Sequence, residues 1–101
     1  MNEPVQQIVH AIADAMSPEQ VILFGSHARG DATPESDIDL VVVCSDDRQP
    51  REMQRDIHRL FKRPAFSLDV FVYRASDFAT QRRIANTIAR EASEHGIACH
   101  G

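Results

Sequence analysis

Val21-Ile22-Leu23-Phe24-Gly25-Ser26-His27-Ala28-Arg29-Gly30-Asp31, followed after four residues by Ser36-Asp37-Ile38-Asp39-Leu40-Val41-Val42-Val43-Cys44, reads as strand, polar turn, strand. The run from Val21 to Phe24 is short, apolar and rich in strand formers, which predicts a buried strand. Gly25 ends it, and Gly, Ser, Asp, Thr and Pro fill the connection. Within that connection Ser26 to Arg29 suits a short helical turn with Ser26 as its cap. Asp37 to Cys44 predicts the second strand. Its continuous run Leu40 to Val43 points to burial on both faces.

Outward from this core, Val5, Ile8, Val9, Ile12 and Met16 recur at spacings of three and four, predicting an amphipathic helix that opens at Pro4 and stops at Ser17-Pro18. Pro50 opens another, with Met53, Ile57, Leu60 and Phe61 on one side and Pro64 as its stop. Phe66 to Tyr73 predicts a third strand. Helical material is expected from Ser76 to about Ala92, with Phe78, Ile84, Ile88 and Ala92 inward and Gly96 as the stop. Ile97 to Cys99 suits a short edge strand. This alternation predicts an α/β fold: a small mixed sheet packed with helices.

The chain is short, 101 residues, so its core is modest and a single domain over residues 1–101 is expected. Fifteen acidic against eleven basic side chains leave a formal charge of −4. That balance disfavours direct nucleic-acid binding, which needs a broad basic face. No apolar run reaches membrane-spanning length and no signal-peptide pattern opens the chain. Cys44 and Cys99 share no metal or redox spacing, so a reduced, cytoplasmic protein is expected. Arg51, Arg55, Arg59, Lys62 and Arg63 follow Pro50, but Glu52 and Asp56 interrupt them, as on a solvated helix face.

The chemistry concentrates in three aspartates. Asp37 and Asp39, two apart at the head of a strand, point to the same face. Two carboxylates side by side repel, and a bound divalent cation removes that cost. Oxygen-only ligands favour Mg²⁺ or Mn²⁺. Asp69 interrupts the apolar run Leu68 to Val72 and completes a three-carboxylate site if the second and third strands are neighbours. The plainer alternative is a strand that starts at the solvent edge, with Asp69 facing water. Gly25-Ser26 after a strand can present backbone N–H groups and a hydroxyl to an anion.

The stretch Leu23 to Asp31, then Ser36-Asp37-Ile38-Asp39-Leu40, resembles the signature of the polymerase-β-type nucleotidyltransferase superfamily: a Gly-Ser turn, about ten residues, then Asp-x-Asp. The short length and the Gly-Ser-x-Ala-Arg-Gly wording are similar to its minimal nucleotidyltransferase (MNT) group, commonly the antitoxin half of HEPN/MNT toxin–antitoxin modules. The likeness is strongest over residues 21–43 and fades after Tyr73. It implies a polymerase-β-like fold and catalysis by Asp37, Asp39 and Asp69. Asp37 and Asp39 would hold two Mg²⁺ ions, with Mn²⁺ as an alternative, and Asp69 would bind the catalytic ion and help deprotonate the acceptor hydroxyl. Gly25 and Ser26 would contact the β and γ phosphates. Arg29 would pair with phosphate or brace the loop against an acidic neighbour; His27 receives no role. The implied reaction moves AMP from ATP to a hydroxyl, a tyrosine of a HEPN toxin partner, with the acceptor supplied in trans. Two alternatives stay open: an antitoxin acting by occlusion without catalysis, and an aminoglycoside-type nucleotidyltransferase subunit.

Overall fold

A computed structural model describes residues 3–61 and 66–101. The first helix, α1 (Glu3–Met16), buries Val5, Ile8, Val9, Ile12 and Met16, the apolar stripe its spacing predicts. Ser17 takes a left-handed φ of 47 and turns the chain into β1 (Gln20–Phe24). The short α2 (Ser26–Arg29) follows, then β2 (Ile38–Cys44) and α3 (Pro50–Leu60). After them come β3 (Leu68–Arg74), α4 (Ala75–Gln81), α5 (Ile88–His95) and β4 (Ile97–His100).

The strands form one mixed sheet in the order β3-β2-β1-β4. β1 is antiparallel to β2 and to β4, whereas β2 and β3 run parallel, joined through α3. The expected edge strand is therefore present as β4. Alternation along the strands sends Leu40 and Val42 to one face and Val41 and Val43 to the other. Leu40 and Val42 pack with α1, Met53 and Ile57. Val41 and Val43 pack with Phe78, Ala89 and Ala92. All four are buried, which explains the unbroken apolar run.

Four local readings change. The single helix expected from Ser76 to Ala92 is two helices. Asn86 adopts a left-handed φ of 66, and the Thr87 hydroxyl accepts from the Arg90 N–H at 3.1 Å to cap α5. Ile84 falls in the break and is 52% exposed rather than inward. Leu60, at the end of α3, is exposed too, leaving Met53 and Ile57 as that helix's core contacts. Ser26 is the first residue of α2, not its cap: Gly25 takes the cap position, and no side chain caps the turn. Gly96 is the expected stop of α5; its bare Cα matters because a Cβ would press on Ile22 and the Leu23 carbonyl of β1. The Pro64 stop, with Lys62 and Arg63, lies outside the described residues. Arg51, Arg55 and Arg59 are exposed, and Arg59 pairs with Asp56 at 3.2 Å, as expected of a solvated face.

Candidate active site

Parallel pairing of β2 and β3 settles where the aspartates fall. In that register Asp39 stands directly beside Asp69, between Ile38 beside Leu68 and Leu40 beside Val70. The flanking apolar residues enter the core under α1 and α3, so both carboxylates lie on the opposite sheet face. Asp37 is exposed one residue before β2 begins. On the other side of β2, Phe24 pairs with Asp39, which puts Gly25 at the same end of the sheet.

The electrostatics of Asp39 follow from this proximity. Partial burial raises the Asp39 carboxyl above its ordinary pKa, and Asp69 and Asp37 raise it further by like charge. A side-chain hydrogen bond with Asp69 also favours the protonated form of Asp39. His27 acts in the opposite direction, favouring the anion. The three predicted aspartates therefore form one electrostatic cluster.

Gly25 faces that cluster. Its φ of 76 lies where side chains are strained, and a Cβ there would run into Oδ2 of Asp39 and come within 3.3 Å of its Cγ. Glycine thus serves two ends here, the sharp exit from β1 and the close approach of backbone to carboxylate. The α2 turn is held by hydrogen bonds from Ala28 and Arg29 N–H to the Gly25 carbonyl, at 3.1 and 3.0 Å. The N–H groups that open such a turn have no acceptor within it and suit an anion. Ser26 lies half-buried beside them. Arg29 is exposed and reaches Asp31, an acidic neighbour, at 3.4 Å.

Two features had no role assigned from sequence. His27, half-buried in α2, approaches the Ser36 carbonyl with Nε2 at 3.4 Å; its position nine residues before Ser36 carries no periodic signal. An open cleft of about 590 Å³ lies beyond Phe24, walled by Asn86, Thr87, Ile88, Arg90 and Glu91. It depends on the break between α4 and α5, which apolar spacing alone conceals.

Among the described residues, no three His, Cys, Asp or Glu side chains stand where they could together hold a metal ion. The donor chemistry nevertheless fits a hard divalent cation. All the candidate donors are carboxylate oxygens, Asp39 and Asp69 are adjacent, and the cluster bears a mutual repulsion that a cation would relieve. Beside this acidic cluster lies a turn suited to anions. Such a pairing suits a phosphate ester bridged by metal, with its far end on the turn.

The model of the nucleotidyltransferase domain matches residues 5–99. The chain belongs to the nucleotidyltransferase domain family. Among curated proteins it is similar to "Putative protein adenylyltransferase MJ0141" of Methanocaldococcus jannaschii, 29% identical over 79 residues, covering 78% of this chain and 76% of that one. Among solved structures, the nucleotidyltransferase domain resembles a toxin-antitoxin crystallised with AMP-PNP. That match has a TM-score of 0.60 at 19% identity and covers 95% of this chain and 73% of that one. It also resembles a mutant of the toxin-antitoxin MntA-HpeT, with a TM-score of 0.60 at 14% identity, covering 100% of this chain and 74% of that one. At such identities these structures bear on the fold alone, and they agree with the expected nucleotidyltransferase architecture. Among the described residues no helix is long and apolar enough to cross a membrane.

Proposed function

We propose that this nucleotidyltransferase moves AMP from ATP to a hydroxyl of a protein partner, a tyrosine of a HEPN-type toxin, with two Mg²⁺ ions and in the cytoplasm. The observation that carries the reading is the register of Asp39 beside Asp69, with Asp37 in electrostatic reach and Gly25 packed against the Asp39 carboxylate. The resemblance to a protein named as an adenylyltransferase supports adenylyl transfer to protein, and the likeness to toxin-antitoxin structures, one of them crystallised with AMP-PNP, supports the partner and the nucleotide.

In this reading Asp37 and Asp39 would hold the cations. Asp69 would help hold a cation and would take up the proton of the attacking hydroxyl. Bound Mg²⁺ supplies charge neutralisation for the attacking and leaving oxygens of an in-line displacement. The backbone at Gly25 and the Ser26 hydroxyl grip the β and γ phosphates. Arg29, through Asp31, steadies the loop beyond and adds positive charge at its rim. A bond forms between the acceptor oxygen and the α-phosphorus, the bond from that phosphorus to the β-bridging oxygen breaks, and pyrophosphate leaves.

The test is incubation with Mg²⁺, a HEPN-type partner and ATP labelled at either the α or the γ phosphorus. Label on the partner from the α position alone supports adenylyl transfer. Transfer from the γ position, or none to any HEPN-type partner, overturns it.

A further inference from the structure

We propose that His27 is a positioning residue: its ring ties the α2 turn to the backbone immediately before Asp37 and so sets the span between that turn and the carboxylates. The inference rests on the nucleotidyl-transfer reading of the same site. Nε2 lies 3.4 Å from the Ser36 carbonyl oxygen. A carbonyl only accepts, so in this contact Nε2 carries the hydrogen.

Both ends of this link are stiff. At one end, Arg29 and Gly30 N–H groups donate to the Gly25 and Ser26 carbonyls, each at 3.0 Å, closing the α2 turn. At the other, Ser36 N–H donates to the Thr33 carbonyl at 3.0 Å, while Thr33 N–H donates to the Ser36 hydroxyl at 2.8 Å. Holding Ser36 therefore holds the whole 33–36 turn, and Asp37 follows it directly. Arg29, also on α2, turns to Asp31 and makes no such link. His27 is half-buried, which shields the contact from competing water.

Three variants test this. His27→Ala removes the ring, His27→Phe keeps its bulk without a donor, and His27→Gln restores an N–H at similar reach. Amide exchange at Thr33 and Ser36, followed by NMR without nucleotide, should accelerate about tenfold in His27→Ala and His27→Phe and return towards wild type in His27→Gln. In transfer assays kcat should fall about tenfold or more in the first two, with a smaller change in the KM for ATP, because misplacement harms the reaction more than binding. Unchanged exchange in His27→Phe overturns the tether, and so does failure of His27→Gln to restore protection. Faster exchange with unchanged kcat overturns its positioning role. Absence of transfer by the wild type refutes the reading of function instead, and the exchange arm still decides the tether.

Discussion

At Asp39 the fold accepts a local cost. Burial and then the neighbouring Asp69 and Asp37 disfavour its anion, yet the strand places it there in register. At neutral pH the ionised Asp39 works against folding, since its carboxyl holds a proton more readily in the folded state than in the unfolded one. Asp39→Asn should therefore raise the melting temperature of the ligand-free protein at pH 7, as measured by calorimetry, while abolishing transfer. Added Mg²⁺ should stabilise the wild type and leave the variant nearly unmoved. Cys44 provides a separate titration. It is fully buried at the end of β2, and burial raises its thiol above the ordinary value near 9. Its neutral form is the one the fold favours, so that contribution is intact below the ordinary pKa and is lost as pH rises through the higher folded value. Iodoacetamide at pH 8 should label half-buried Cys99 well before Cys44, with Cys44 reacting on unfolding.

At the scale of elements, the turn and the two strands beside it were the most legible part of the chain. Their pattern is dense: an apolar run, a glycine, and aspartates at a spacing of two. The parallel neighbour that brings in Asp69 was legible only as a condition, because no local signal in residues 66–73 states which strand they join. The break between α4 and α5 was hidden, since Ile84 and Ile88 have helical spacing. What interrupts the helix is the left-handed φ of Asn86 and the Thr87 cap, neither of which an apolar period records. Thr87 Oγ1 also donates to the Ile84 carbonyl at 2.9 Å, fastening the break itself. Thr87→Ala should cost about 1 kcal/mol in urea unfolding, within the usual range for a lost cap. Gly25→Ala should do more harm than its size suggests. It adds strain at positive φ and displaces the Asp39 carboxylate, so it should both lower stability and remove nucleotide binding.

For the whole molecule, one sheet serves two cores. The face under α1 and α3 holds most of the buried apolar mass, and the face carrying the carboxylates is closed only in part, by α4 and α5. Leu40, wholly buried on the first face and neighbour to Asp39, supports that arrangement. Leu40→Ala should lose about 2–5 kcal/mol of stability, read from denaturant midpoints. The formal charge of −4 gains a meaning at this scale, because part of it is gathered at the end of the sheet where β1 leaves and β2 and β3 begin. The central claim is that these carboxylates carry out nucleotidyl transfer. Its most direct measurement is the rate of label transfer from α-labelled ATP to the partner, comparing wild type with Asp37→Ala and Asp69→Asn, each shown to be folded by its melting curve. Losses of roughly a hundred- to a thousand-fold in both variants are predicted, the scale expected when transition-state charge loses its support. Transfer at the wild-type rate by either variant would contradict the account.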